Sequence, residues 1–280
     1  MLLPLIALLA AADITAVAPA MRITPDALLL GEDDYTAPRN ATVDASGARL
    51  VRIEARAGWL KVTGREGVSQ ARVRGTARSS RESWLEEIQL RAERRGDVVE
   101  IIVEISERNY VGVGSFHRSL DLDIEIPAGV RVEIQDSSGD VEVRGTGAVE
   151  IQDSSGDMDI LDAGGPVRVR DSSGDVRIAR ARGDVRVQDS SGDIEIRNVA
   201  GSVEIEEDSS GDIVASDVTG AVLVARDGSG GIRVADVGGS FTVERDGSGS
   251  ISHRNVRGAV QIPRSKRDRD RDRDSRDYDY

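Results

Sequence analysis

The chain contains no cysteine and few aromatic residues. None of its 280 residues is Cys, and Phe, Trp and Tyr together make up 3% of the sequence. The absence of Cys excludes a disulfide framework and the lipid-bearing Cys of a bacterial lipoprotein. Trp59 and Trp84 lie outside the repeats described below, and Phe241 is the only aromatic residue within them. This scarcity disfavours a surface that binds glycans by stacking sugars on aromatic rings.

Histidine is almost as rare, and no pair of nucleophile and base is visible. His117 follows a Gly-rich stretch and is predicted to lie in a loop, whereas His253 occupies an inward position of a predicted strand near the end of the core. Carboxylate pairs can act on sugars, but such sites need long loops, and the repeats here vary in length by only two residues. We therefore predict a protein that is not an enzyme and has no catalytic residues.

Long apolar runs are also missing. The run over 1–12 is too short to span a bilayer. Its small C-terminal residues, and the Ala-Pro-Ala at 18–20, predict a signal peptide over 1–20 that lacks the usual basic start, followed by a linker over 21–38. We expect an exported protein of the periplasm, the cell surface or the medium, with no transmembrane segment after cleavage.

What the sequence does contain is one short unit repeated seven times over 136–264. Each copy begins with Asp-Ser-Ser-Gly-Asp or a close variant, and successive copies start 17, 18, 18, 19, 19 and 19 residues apart. The copies begin at Asp136, Asp153, Asp171, Asp189, Asp208, Asp227 and Asp246. A fixed period in this range is typical of a solenoid, in which each repeat must stack on its neighbours to bury its apolar side.

Each copy carries two three-residue alternations, such as Val141-Glu142-Val143 and Val149-Glu150-Ile151. Alternation with a period of two places the outer residues of each triplet on the core side of a strand and the middle residue in water. The four longest copies add a third apolar position before a Gly. We predict an all-β, right-handed β-solenoid, either a narrow β-helix or a β-roll, with about seven regular coils.

The flanking segments differ from the repeats. Alternating residues over 39–135 predict an irregular β cap at the N-terminal end of the solenoid, with a hairpin around 88–105 and one helical turn within 81–87. Over 265–280, Arg and Asp alternate without an apolar residue before the last positions, so this tail is predicted to be disordered.

The charge of the chain is strongly acidic, with a formal net value of -13. The repeated turns contribute seven first and five second aspartates, or twelve in all. We expect the first Asp to accept a backbone N–H two residues on. In water, stacked carboxylates repel by only about 1 kcal/mol per pair. The predicted acidic edge argues against a nucleic-acid partner.

The entry Pro127-Ala128-Gly129-Val130-Arg131-Val132, followed by serial Ser-Ser-Gly-Asp units, resembles a bacterial family of β-strand-repeat, adhesin-like proteins related to the auto-transporter adhesin head domain. The resemblance covers roughly 39–263. It implies a location in the envelope or on the cell surface and a structural or interaction role with an unidentified partner. It implies no catalytic residue and no cofactor.

Two further functions stay open. The acidic turns could bind calcium, because hard cations take carboxylate and carbonyl oxygens; only one turn per coil is acidic, which favours turn formation instead. The candidate ligands are Asp136, Asp140, Asp153, Asp157, Asp171, Asp175, Asp189, Asp193, Asp208 and Asp212. The alternative is a self-assembling envelope scaffold, because a solenoid end is an open sheet edge unless it is capped, and the tail over 265–280 is the predicted guard.

Overall fold

The structure, a computed structural model, describes residues 35–106 and 117–263. The predicted signal peptide and the charged tail lie outside these residues, whereas the last four residues of the predicted linker belong to the first strand, which begins at Tyr35. Within the described ranges, no helix is long and apolar enough to cross a membrane.

The described chain is almost entirely β-structure, as the sequence predicts. In chain order the strands are β1 (Tyr35–Asp44), β2 (Leu50–Glu54), β3 (Leu60–Arg65), β4 (Gln70–Ser79), β5 (Ile88–Arg95), β6 (Val98–Ile105), β7 (Arg118–Pro127), β8 (Arg131–Gln135), β9 (Val141–Arg144), β10 (Val149–Gln152), β11 (Met158–Leu161), β12 (Val167–Arg170), β13 (Val176–Ala181), β14 (Val185–Gln188), β15 (Ile194–Val199), β16 (Val203–Glu207), β17 (Ile213–Val218), β18 (Val222–Asp227), β19 (Ile232–Val237), β20 (Phe241–Asp246), β21 (Ile251–Val256) and β22 (Val260–Gln261). One 3-10 helical turn, η1 (Glu82–Glu87), precedes β5, as predicted.

The strands form two eleven-stranded sheets. Sheet 1 has the order β1-β4-β7-β3-β9-β11-β13-β15-β17-β19-β21, and sheet 2 has the order β22-β20-β18-β16-β14-β12-β10-β8-β2-β6-β5. From β8 onward the chain alternates between the sheets, and each strand pairs in parallel with the equivalent strand of the next coil. This arrangement is a β-solenoid of seven coils, and it confirms the predicted fold class.

The core consists of stacked columns of aliphatic side chains. In the first regular coil, Val141, Val143, Val149 and Ile151 are buried, and so are their equivalents in every later coil except the last. β-branched residues fit this pleated, densely packed surface. The third inward position occurs in every coil, because Thr146, Ala163 and Ala181 take it where the longer coils have Val.

The N-terminal strands do not stack in sequence order. The coil formed by β2 and β3 lies between the coil of β8 and β9 and the coil of β6 and β7. Antiparallel pairing is confined to this end: β1 and β4 extend sheet 1, and β5 forms the predicted hairpin with β6 at the edge of sheet 2. Residues about 80 apart in sequence, such as Leu60 and Val141, are therefore neighbours.

Candidate functional site

The seven Asp-Ser-Ser-Gly-Asp turns stack at the corner where each coil passes from sheet 2 to sheet 1. A glycine fixes their shape in every coil. At Gly192, φ is +136°, and a Cβ there would overlap the carbonyl oxygen of Gly174 in the preceding coil. Only glycine adopts this conformation readily and allows backbones so close. The turn backbone is therefore fixed, and so are the directions of the two aspartates that flank it.

The first aspartate of each turn points into the protein, so the expected water-exposed edge is wrong for this set. Asp189 and Asp208 are 1% and 0% exposed, and their equivalents in the other coils are similarly buried except Asp246 in the last turn, which is half-buried. The sequence did carry a signal for this burial. Val185, Val187 and Asp189 are each two residues apart, so the inward alternation of β14 simply continues into the turn.

Among the described residues, only one oxygen of each buried carboxylate in the first five turns has a hydrogen-bond partner, and neither oxygen of Asp227 has one. Oδ1 of Asp136 accepts the N–H of Ser137 at 2.7 Å, and the same one-residue bond recurs in the next three turns. The predicted bond from two residues on occurs at Asp189 and Asp208, at 3.3 and 3.1 Å. The second oxygen, Oδ2, is buried without a partner at Asp136, Asp153, Asp171, Asp189, Asp208 and Asp227.

Burial changes the acidity of this buried column. It raises the pKa of Asp136 and Asp208 to about 7. The charge of the neighbouring Asp153 raises the pKa of Asp136 further, and the charges of Asp189 and Asp227 do the same for Asp208. Burial is also the main cause at the remaining sites: it raises the pKa of Asp153, Asp189 and Asp227 to about 6, and it raises that of Asp171 as well. At an effective dielectric constant of 20, charges about 4.8 Å apart repel by roughly 3 kcal/mol. Between about pH 4 and 7 the buried column therefore keeps protons that an aspartate in water has lost.

The second aspartate, which the first five turns contain, has a different role. It points outward, and its Oδ1 accepts the backbone N–H of the equivalent residue in the next coil. Asp140 accepts from Asp157 at 3.1 Å, and the series continues through Asp175 and Asp193 to Asp212. It ends when Asp212 accepts from Gly231 at 2.7 Å, because Gly231 has no side chain. We call this outward series the aspartate ladder.

The ten candidate calcium ligands therefore divide into two sets. Five belong to the buried column, and five belong to the aspartate ladder, where one oxygen already accepts a backbone N–H. Within residues 35–106 and 117–263, no group of three or more His, Cys, Asp or Glu side chains is arranged to hold a metal ion. A groove of about 570 Å³ runs beside the buried column and includes Asp136, Asp153 and Asp171 in its lining.

Sequence reasoning missed a second column at the end of the strands of sheet 1. Six residues there have a positive φ, between 51° and 59°. They are Asp162, Arg180, Asn198, Asp217, Asp236 and Asn255. Asp and Asn tolerate this left-handed conformation better than other non-glycine residues. Their recurrence one residue before the third apolar position was the available signal.

A groove of about 970 Å³ lies beside this left-handed column, with Arg65, Asp162, Arg180 and Arg182 in its lining. Arg180 binds Asp162 through two bonds, Nε to Oδ1 at 2.5 Å and NH2 to Oδ2 at 2.9 Å. The hydrogen bond and charge of Arg180, helped by two further arginines, lower the pKa of Asp162. This corner therefore displays paired, exposed charges.

Residues 62–269 match the family described as Toastrack DUF4097. The chain belongs to this family. The match confirms the resemblance to bacterial β-strand-repeat proteins, whereas the relation to the auto-transporter head domain stays a prediction.

Solved structures that match this Toastrack chain have low sequence identity to it. One, described as a "putative adhesin" of Bacteroides fragilis, is 16% identical with a TM-score of 0.48, covering 82% of this chain and 97% of its own. A "putative cell adhesion protein" of Clostridium sporogenes is 14% identical with a TM-score of 0.36, covering 81% and 99%. A "putative lipid binding protein" of Parabacteroides distasonis is 15% identical with a TM-score of 0.36, covering 81% and 97%. No curated protein matches the chain.

Proposed function

We propose that the protein is exported and serves as a non-enzymatic interaction module of the cell envelope, presenting two flat, charged faces on a rigid rod. The observation that carries the proposal is the register of the outward side chains. In sheet 2, Glu133, Glu150, Arg168, Arg186 and Glu204 occupy equivalent positions of consecutive coils. Sheet 1 carries a similar outward series that begins with Glu142 and Asp159.

These outward charges are paired along the rod. The NH2 group of Arg131 lies 2.9 Å from Oε2 of Glu150, and that of Arg186 lies 2.5 Å from Oε2 of Glu204. Exposed pairs of this kind contribute little to stability, about 0 to 1 kcal/mol each. They do hold both signs of charge in a fixed pattern, which supports binding through many weak polar contacts that weaken in salt.

The two aliphatic residues that interrupt the charged series do not form one patch. They lie nine residues apart in the same copy of the repeat, the fifth. Val214 belongs to sheet 1 and Leu223 to sheet 2. Their side chains face outward from different sheets, and both are half-buried by their neighbours. The charged residues are therefore the recognition elements of the proposed faces.

The proposal is tested by location and by binding to isolated envelopes. Fractionation of cells expressing the full chain should place the protein outside the cytoplasm. Purified protein should bind envelopes in low salt and lose most binding in about 1 M salt, where screening extends over only about 3 Å. The double change Arg168→Glu with Arg186→Glu should weaken binding at least tenfold.

A matched control changes the net charge equally on the N-terminal part of the rod. Arg49→Glu with Arg72→Glu reverses two exposed arginines away from the regular coils and should leave binding within about twofold. Equal losses in both variants would show that only net charge matters, and a cytoplasmic protein would contradict the proposal altogether.

A second candidate function is a calcium-stabilised β-roll, supported by the buried Oδ2 atoms that have no partner. Calcium is coordinated by carboxylate oxygens at 2.3–2.6 Å. A ligand that binds only the folded state raises the melting temperature of the protein. Because calcium must displace protons from the buried column, the rise should be larger at pH 8 than at pH 5. Melting by circular dichroism with calcium, magnesium or chelator tests this, and an equal effect of magnesium would reject it.

A further inference from the structure

The last coil of the described chain exposes residues that lie in the core of every other coil. Ile232 and Phe241 are fully buried. Their partners in the next coil are Ile251, which is half-buried, and Val260, which is 37% exposed. Ile262, two residues further, is 44% exposed. The predicted inward position of His253 is correct in register, because it pairs with the buried Val234, yet its side chain is exposed.

The backbone of this coil is equally unpaired on its outer side. Within the part of the chain that the structure describes, β21 pairs only with β19, and β22 pairs only with β20. Both strands therefore present a free row of N–H and C=O groups, which templates the addition of another strand. We call the exposed side of β21 and β22, with Val256 and Ile262, the C-terminal face.

The opposite end of the solenoid carries features that block such addition. β1, at the edge of sheet 1, contains Pro38, which has no N–H to donate. The neighbouring Arg39 donates from Nε to the carbonyl of Ile88 at 2.8 Å and from NH2 to that of Leu85 at 2.5 Å. The turn η1 buries Trp84 over the same end. Edge prolines and inward-pointing charges are the usual protection of natural sheet edges. Among the described edge strands only β1 combines the two, whereas Pro263 follows β22 rather than lying within it.

The residues that follow the C-terminal face are chemically unsuited to cover it. Residues 264–280 number 17, the length of one coil, but they contain no Val, Ile, Leu, Met or Phe. Alternating Arg and Asp would place charges against Ile251 and Val256. The burial of these charges would cost far more than the burial of the aliphatic groups gains. The same face of a second copy, by contrast, provides both aliphatic side chains to pack against these residues and free backbone groups to pair with the edge strands.

We propose that the C-terminal face binds the same face of a second copy, so that two rods join end to end in a twofold dimer. Antiparallel pairing of β21 with its equivalent, centred on Arg254, leaves the inward side chains Ile251 and Val256 of both copies on the core side of one continuous sheet. The following 17 residues carry seven positive and six negative side chains. Two tails brought together by the dimer therefore repel little.

Sedimentation velocity of the full chain between about 1 and 100 µM tests the proposal directly. We expect an elongated dimer that dissociates on dilution. Val260→Lys should shift the protein to monomer, because the lysine reaches water in the monomer and would be buried in the dimer. Leu223→Lys makes the same aliphatic-to-lysine change on the outer face of sheet 2 and should leave the dimer intact. Both variants should keep the circular dichroism spectrum of the parent.

The orientation of the two copies can be tested because the chain has no Cys. A single cysteine in Arg254→Cys should give a covalent dimer on mild oxidation, since residue 254 lies next to the twofold axis. A single cysteine at the other end, in Thr42→Cys, should remain monomeric under denaturing conditions. The reverse pattern, or filaments longer than two copies, would overturn the tail-to-tail arrangement.

Removal of 264–280 separates the remaining possibilities. If a second copy covers the face, the shortened chain still forms a dimer. If the full chain is a monomer and only the shortened chain associates, these residues are the cover and the proposal is wrong. A monomer in both forms also rejects it. These outcomes are independent of envelope binding, because the outward charges of the two flat faces lie outside the C-terminal face.

Discussion

Oδ1 of Asp193 accepts the backbone N–H of Asp212 at 2.8 Å, so a side chain of one coil provides a hydrogen-bond acceptor for the backbone of the next. Asp193→Ala should lower the free energy of unfolding by about 1 kcal/mol, because it removes this acceptor. Asp193→Asn keeps an acceptor oxygen and should stay within about 0.5 kcal/mol of the parent. Urea denaturation measures both. Equal losses in the two variants would show that the charge, rather than the hydrogen bond, is what the ladder requires.

The stability of the rod should decrease as the pH rises from about 4 to 7. The buried aspartates have a pKa raised from 3.8 to about 6 or 7. The folded state therefore binds more protons than the unfolded state in this window, and the free energy of unfolding falls with pH. Each unit of raised pKa corresponds to about 1.4 kcal/mol, so several such groups should change the stability by several kcal/mol.

Other carboxylates act in the opposite sense, but only at lower pH. The pKa values of Asp44, Asp162 and Asp212 are lowered, chiefly by hydrogen bonds from Ser46, Arg180 and the backbone of Gly231 respectively. Their stabilising contribution is present above the unfolded value near 3.8 and is lost as the pH falls further. The melting temperature should therefore be highest near pH 4 to 5. A maximum near pH 8 would contradict the assignment of protons to the buried column.

A single neutral replacement in the buried column should reduce this pH dependence. Asp208→Asn keeps an oxygen for the N–H of Ser210 and places an amide next to carboxylates that can accept from it. We expect the variant to be more stable than the parent at pH 8 and close to it at pH 5. Asp193→Asn removes one outward negative charge and is the matched control. Thermal melts of the three proteins from pH 4 to 8 measure the difference.

The fold could be predicted because every coil repeats the same local evidence. Val141, Glu142 and Val143 already specify a strand with one buried face, and a fixed spacing forces equivalent strands to stack. The order of the N-terminal coils could not be predicted in the same way. Nothing local in β2 specifies that it pairs with β8 and β6, because that choice depends on contacts between residues far apart in sequence.

The candidate site was predicted only in part. Asp136 was correctly predicted to lie in a stacked turn. Its charge suggested that the side chain would be exposed to water, but its position two residues after the buried Ile134 indicated the burial that the structure shows. In the longer coils this spacing becomes three, and β16 shows why. The pairing of β14 with β16 shifts register between Val187 and Gln188, so an extra residue is absorbed by a bulge before Asp208. Such a bulge leaves the direction of the turn unchanged and is invisible in the spacing alone.

The glycine of the turn should be irreplaceable, unlike a glycine in an open turn. Gly192→Ala adds a Cβ that overlaps the backbone of Gly174, at a φ of +136°. We expect a loss of more than about 3 kcal/mol, because both the clash and the conformation are unfavourable. Gly67 also has a positive φ, +74°, but a Cβ there meets no atom within 4 Å. Gly67→Ala should therefore cost only about 1 kcal/mol, and similar losses in both variants would show that the close stacking of turns is not the constraint.

The left-handed column makes a prediction about side-chain shape rather than charge. Arg180 has a φ of +59°, between Asp162 at +56° and Asn198 at +59° in the adjoining coils. Arg180→Val should destabilise the rod by about 1 to 2 kcal/mol, since a β-branched residue is strained in this region. Arg180→Asn loses the same exposed ion pair with Asp162 yet suits the conformation, so it should stay within about 1 kcal/mol of the parent. Arg182→Val, at a neighbouring exposed position without a positive φ, controls for the change of side chain. Urea denaturation that ranked the Asn variant below the Val variant would show that the ion pair, and not the backbone conformation, determines stability at this corner.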